Sequence, residues 1–150
     1  MAAQSEVRKP EYHIDVFMDY FIAALVLRGK DHVHLRRERA AEERRRLYVL
    51  YKYLDELVEA ADQSNKDWYY FIVRLRNKLS PGNIGSFDGF FGELLRKTLT
   101  LVSFDLPFCD YYKIGLGHTW ARSCLAHAEP AMHELAEKAA DVYMLDLAKE

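Results

Sequence analysis

The sequence predicts an all-α fold, a single-domain helical bundle of five to six helices. Apolar residues recur every three or four positions along most of the chain, and no segment alternates apolar and polar residues as a strand does. Only 7 Gly and 4 Pro occur in 150 residues, half of the residues are hydrophobic and 29% are charged. This composition is typical of a compact globular chain, and the length is that expected of one domain.

Turn signals and apolar stripes divide the chain into predicted helices. Pro10 precedes the first helix, where a missing N–H is tolerated, and Gly29 ends it. The second helix is long, and its apolar stripe fades into charged residues toward its N-terminal half. The predicted helices span 11–28, 31–61, 65–79, 87–102 and 119–149, with residues 1–9 flexible and residues 103–117 in a loop.

The last predicted helix contains a proline. The ring of Pro130 blocks an interior hydrogen bond, which bends or breaks a helix. The apolar positions from Ala121 to Val142 nevertheless keep one helical phase on both sides of it. The sequence therefore predicts a long last helix that is kinked near Pro130.

Charge is balanced overall but unevenly distributed. The 21 Lys and Arg against 23 Asp and Glu give a net charge of −2, which is not typical of a general nucleic-acid-binding protein. Residues 28–46 carry eight basic and four acidic side chains, whereas residues 129–150 carry six acidic and two basic ones. The two regions are expected to complement each other, either within one molecule or between the copies of a homodimer.

Targeting and cofactor signals are not apparent in the sequence. The N-terminal residues lack the basic-then-apolar order of a signal peptide, and the longest apolar run, from Phe21 to Leu27, falls far short of the ~20 residues that span a bilayer. Two cysteines are too few for a secreted disulfide framework. No phosphate-binding glycine motif is present. These observations predict a cytoplasmic protein with no membrane partner and no cofactor.

Arg122 and His127 form an R-x4-H spacing in the stretch RSCLAH. This spacing resembles the short active-site motif of HEPN-domain ribonucleases, which are also small all-helical folds. The resemblance implies that Arg122 stabilises a phosphate and that His127 acts as general acid and base for attack by a ribose 2′-hydroxyl. Ser123 stands where that family usually has an amide or an acid. A metal-independent ribonuclease is therefore an alternative function.

Four residues within a short segment are of types that zinc accepts. They are Cys109, His118, Cys124 and His127. The spacing of the first two is not that of a standard zinc motif, and Cys124 also lies on the apolar stripe of its helix. No metal is therefore predicted, and these four residues are kept as an alternative metal site.

Tyrosines are grouped where one core cannot absorb them. Trp68, Tyr69 and Tyr70 are consecutive, and one face of a helix cannot bury three adjacent rings. Tyr and Trp are enriched at the centres of protein interfaces. The sequence therefore predicts a partner-binding surface, whose residues are Arg36, Arg37, Arg39, Tyr48, Tyr51, Tyr69 and Tyr70.

These patterns favour a non-enzymatic helical protein-binding module. Such a protein acts as an inhibitor, an immunity-type protein or a small subunit of an assembly by occupying a partner's surface. A third alternative is a nucleoprotein subunit that binds RNA or DNA through the arginine-rich helix from Arg36 to Arg46. Three acidic residues, Glu38, Glu42 and Glu43, interrupt that basic stretch, which makes a solvated helix face the simpler interpretation.

Overall fold

The computed structural model describes residues 12–28, 40–80, 82, 90 and 115–145, with the side chains of 40–44 and 115–118 left out of the description. Within these residues every regular element is a helix, so the predicted all-α class is confirmed. The five helices are α1 (Ile14–Leu27), α2 (Ala40–Ala60), α3 (Lys66–Lys78), α4 (Gly115–Ala126) and α5 (Pro130–Tyr143). The predicted helix 87–102 lies outside the described residues except for Phe90, which is buried.

Helix α1 is the central element of the described bundle. It packs against α4 and α5 and more lightly against α3. An apolar sequence makes this possible, because a helix that is apolar on more than one side is stable only when several neighbours cover it. Its buried residues are Phe17, Met18, Phe21, Ile22, Ala23, Ala24 and Leu25.

Helices α2 and α3 form an antiparallel hairpin beside α1. The predicted stripe of α2 is buried at Leu47, Leu50, Leu54 and Val58. Five residues connect the two helices, a length that brings the second helix back along the first. The side chain of Asn65 caps α3 by accepting a hydrogen bond from the backbone N–H of Trp68 at 3.3 Å.

The chain between α4 and α5 differs from the prediction. Pro130 is the first residue of α5, and the side chain of Glu129 accepts hydrogen bonds from the N–H groups of Ala131 and Met132, at 3.1 and 3.3 Å. The expected kinked helix is thus two helices separated by residues 127–129. A proline at the first helical position loses no hydrogen bond, because that N–H has no intrahelical partner.

The start of α4 also corrects the sequence prediction. The loop was expected to extend through Gly117, but the helix begins at Gly115. A glycine costs only about 1 kcal/mol within a helix, and burial of Ala121 and Leu125 further along α4 offsets this cost.

Candidate functional site

The C-terminal end of α1 is tied to α5 by one arginine. The guanidinium of Arg28 lies 2.6 Å from carboxylate oxygens of both Glu137 and Asp141. Burial opposes its charge, but the hydrogen bonds to Asp141 and Glu137 outweigh burial and raise the pKa of Arg28. The other oxygen of Glu137 lies 3.2 Å from Nε2 of His133. This network pairs two of the acidic side chains of the C-terminal region, Glu137 and Asp141.

A second arginine ties α2 to the end of α5. One terminal nitrogen of Arg46 donates to the backbone carbonyls of Tyr143 and Leu145, at 2.7 and 2.8 Å. Carbonyls at the end of a helix lack intrahelical donors and carry partial negative charge. A guanidinium there donates the missing hydrogen bonds and also neutralises this charge. Arg28 and Arg46 therefore complement the C-terminal region within one molecule, which is the first of the two arrangements that the charge distribution predicts.

The first pair of predicted contact tyrosines lies near the middle of α2. The rings of Tyr48 and Tyr51 are stacked, with centroids 6.2 Å apart and planes 24° apart. The ammonium of Lys52 lies 5.5 Å from the centroid of the Tyr48 ring, within cation–π range. Although it is stacked, Tyr48 is 44% exposed. The three side chains form a preorganised aromatic and basic surface.

The second pair lies near the start of α3. The rings of Tyr69 and Tyr70 have centroids 5.9 Å apart, and Tyr70 is 54% exposed. The adjacent Trp68 is turned inward, with its ring 5.1 Å from Tyr12 and 5.6 Å from Phe71. The expectation that three consecutive rings cannot all be buried is confirmed by Tyr70.

The two tyrosine pairs lie at different levels along the hairpin, one near the middle of α2 and the other near the start of α3. Between them, Arg76 of α3 donates to Asp55 of α2 at 3.0 Å, which fixes the level at which the antiparallel helices meet. Tyr51 precedes Asp55 on one helix and Tyr69 precedes Arg76 on the other, so the pairs are about 16 Å apart along the helix axes at about 1.5 Å per residue. The structure does not bring the four tyrosines into one cluster. The surface of α2 and α3 that Tyr48, Tyr51, Lys52, Tyr69 and Tyr70 form is called the hairpin face below.

Several predicted residues fall outside the described part of the chain. They are Arg36, Arg37 and Arg39 of the predicted contact surface, together with Cys109 and the side chain of His118 from the alternative metal site. Residues that the sequence reasoning did not select are Lys52, Asp55 and Arg76. The four-residue spacing of Tyr48 and Lys52 was a usable signal, because residues at that spacing are neighbours on a helix.

Arg122 and His127 are both exposed at the outer side and end of α4. The Nδ1 atom of His127 lies 2.7 Å from the carbonyl oxygen of Ser123. A carbonyl only accepts hydrogen bonds, so Nδ1 carries a hydrogen, and Nε2 of the neutral ring is the nitrogen able to take a proton. Five residues of regular helix separate two side chains by about 140° around the axis, so Arg122 and His127 do not project from one face.

The alternative metal site gains no support from the residues that are described. Among them, no three His, Cys, Asp or Glu side chains are grouped closely enough to hold an ion. Burial, together with the nearby charge of Asp19, raises the pKa of Cys124 to about 11. Zinc binds the thiolate, and this environment favours the protonated thiol.

Comparison with protein-family models, curated proteins and solved structures finds no match to this chain. Within the described part of the chain, no helix has both the length and the apolar character needed to cross a membrane. A functional interpretation therefore depends on the geometry of the chain itself.

Proposed function

We propose that this chain is a non-enzymatic, cytoplasmic protein-binding module whose contact surface is the hairpin face. It acts as an inhibitor, an immunity-type protein or a small subunit of an assembly by occupying the surface of its partner. The observation that carries the proposal is that Tyr48 and Tyr70 remain 44% and 54% exposed while each lies against a second tyrosine ring.

The energetic argument concerns preorganisation. A tyrosine side chain buries a large area with only two rotatable torsions, and a neighbouring ring restricts those torsions before a partner arrives. Lys52 adds a cation beside Tyr48 and thus a preference for partner surfaces with acidic or carbonyl groups. Arg28 and Arg46 make contacts within the chain, with α5 and its end. The hairpin face is therefore the better supported contact surface.

Co-purification from the native cells tests this proposal. A tagged chain is expected to retain a protein partner, either another protein or a second, differently tagged copy. Tyr48→Ala and Tyr70→Ala are each expected to weaken retention by about thirtyfold, the effect typical of an interface hot spot. Leu145→Ala is the matched control, because Leu145 is also exposed, at 48%, but lies after α5. Equal retention by all three variants would contradict the proposal.

A metal-independent ribonuclease using Arg122 and His127 is the second candidate. It is favoured by one observation, that the bond from Nδ1 of His127 to Ser123 leaves Nε2 of an exposed ring able to accept a proton. Incubation of the purified chain with RNA, beside His127→Ala, tests it. If the original chain cleaves RNA and His127→Ala does not, the ribonuclease replaces the binding module as the proposed function. If RNA stays intact in both samples, the ribonuclease is excluded.

The nucleoprotein alternative assigns binding to the helix from Arg36 to Arg46. Within that stretch, Arg46 already donates to the carbonyls of Tyr143 and Leu145. Binding through the remaining arginines predicts an affinity for RNA or DNA that falls steeply with salt. A salt titration in a filter-binding assay measures this directly.

A further inference from the structure

The outward row of α2 changes sign along its length. The side chains of this row are all exposed, and they are Arg45, Tyr48, Lys52, Glu56 and Glu59. The first half of the row is basic and the second half is acidic. When two copies of α2 are placed antiparallel, the basic half of one row lies opposite the acidic half of the other. The row is therefore complementary in charge to a second, reversed copy of itself.

A two-fold axis satisfies this complementarity. In a symmetric dimer the same patch meets itself, and residues on one side of the axis face residues on the other side. If the axis is perpendicular to α2 and passes near Leu54, then Lys52 of one copy lies opposite the partner's Glu56. The same register sets Tyr48 opposite the partner's Ala60, an exposed residue small enough to accommodate a ring.

The aromatic pairs follow the same pattern. Tyr48 and Tyr51 lie near the middle of α2, whereas Tyr69 and Tyr70 are about 16 Å away along the helix axes, near the start of α3. Antiparallel pairing of two hairpin faces brings the first pair of one copy beside the second pair of the other. An arrangement that is scattered in one molecule becomes two mixed tyrosine groups in the dimer.

We propose that the partner of the hairpin face is a second copy of this chain, paired antiparallel along α2, with Lys52 against the partner's Glu56 and Tyr48 against the partner's Ala60. This inference rests on the proposed function, because it assigns an occupant to the same surface. Charge complementarity favours the second copy, since Glu56 of α2 supplies the acid that Lys52 faces across the axis, and it does so twice in each dimer.

Sedimentation of the full purified chain over a concentration series tests the dimer. Lys52→Glu and Glu56→Lys each oppose two like-charged pairs across the axis, and each is expected to raise the dissociation constant at least about tenfold. A one-to-one mixture of these two variants pairs unlike charges at both positions and is expected to restore dimers. If the substitutions instead act only within their own chain, mixing the two variants is expected to leave the dimers lost.

A steric variant tests the register separately. Ala60→Arg fills the position opposite the partner's Tyr48, and because residue 60 is exposed it leaves the fold of the chain intact. It is expected to abolish dimers, whereas Lys138→Glu, a charge reversal on α5, is expected to leave them unchanged. Circular dichroism of each variant verifies that helix content is retained.

Two outcomes distinguish a failure of the proposed dimer from a failure of the proposed function. A monomeric chain whose Tyr48→Ala and Tyr70→Ala variants lose a different protein overturns the dimer and leaves the proposed function standing. A monomeric chain that binds no protein through these tyrosines overturns both. Dimers that persist in Lys52→Glu, Glu56→Lys and Ala60→Arg alike also overturn the proposed pairing.

Discussion

Helix α1 and the hairpin face use aromatic side chains in opposite ways. In α1, Phe17 and Phe21 are fully buried and stack with ring centroids 6.0 Å apart. On the hairpin face, Tyr48 and Tyr70 lie against neighbouring rings at similar distances but remain about half exposed. Ring-to-ring contact by itself therefore does not distinguish folding from recognition; the degree of exposure does.

The difference follows from the chemistry of the two side chains. A phenylalanine ring gains free energy only by leaving water, so it is found where three or more elements can cover it. A tyrosine ring carries a hydroxyl that forms hydrogen bonds with water, while the apolar part of the ring remains available to contact a partner. Replacing residues from each region tests whether this contrast is energetic as well as geometric.

The largest effect is expected for Phe21→Ala. The ring of Phe21 contacts Phe90 and Tyr143 at 5.9 and 5.4 Å between centroids, and no part of it reaches solvent. Its removal leaves a cavity that costs about 3–5 kcal/mol of unfolding free energy. Urea unfolding followed by circular dichroism measures the change, and a loss below 1 kcal/mol, roughly the cost of a surface substitution, would mean that α1 is not the centre of the core.

Arg46→Ala is expected to have an intermediate effect, although residue 46 is only two positions from Tyr48. Its loss leaves the carbonyls of Tyr143 and Leu145 without their charged donor, which costs about 1–2 kcal/mol. The same denaturant series measures it. Arg45→Ala, at an exposed neighbouring position, is the control and is expected to unfold like the original chain.

Cys124 is less buried than the core of α1 and less exposed than the hairpin face. Its thiol is expected to react slowly as a result of this partial burial. Because burial and Asp19 raise its pKa to about 11, the thiol reacts slowly with iodoacetamide near neutral pH. The raised pKa in the folded state means that this thiol favours folding below its unfolded pKa and that the contribution is lost as the pH rises through 11. Asp19→Asn is expected to accelerate alkylation, and an unchanged rate would show that the Asp19 charge does not reach the sulfur.

The smallest effect on stability is expected for Tyr70→Ala. More than half of this side chain is already in water, so the unfolding free energy should change by no more than about 0.5 kcal/mol. Binding through the hairpin face should nevertheless be strongly reduced. A substitution that destabilised the chain as much as Phe21→Ala would place Tyr70 in the core and remove the contrast between the two regions.

Helical periodicity predicted the parts of the fold that depend on one helix at a time. The stripes of α1, α2 and α3, the bounds of α1 and α3 and the end of α2 agree with the structure within a few residues, whereas the predicted segment 31–39 of the second helix lies outside the described residues. The break before Pro130 was missed because the apolar phase continues across it. A side-chain cap such as Glu129 acts locally and leaves that phase unchanged, so the pattern carried no sign of it.

The sequence indicated that some of the grouped tyrosines are exposed, but it did not indicate how the tyrosines are arranged. Runs of tyrosine and tryptophan selected Tyr48, Tyr51, Tyr69 and Tyr70, two of which are among the most exposed large side chains described. Their separation depends on the level at which α2 and α3 meet, which the contact between Asp55 and Arg76 reveals but the sequence pattern does not. The internal use of Arg28 depends on a residue 113 positions away, a distance over which periodicity carries no information.

That same long separation governs how the chain reaches its fold. Helix α1 precedes α4 and α5, the two helices that cover most of it, so contacts such as Arg28 with Asp141 close only after α5 has been made. Until then a growing chain exposes the apolar sides of α1 that α4 and α5 later cover. A ribosome that stalled before residue 115 would therefore release a chaperone substrate or an aggregate instead of a smaller working domain.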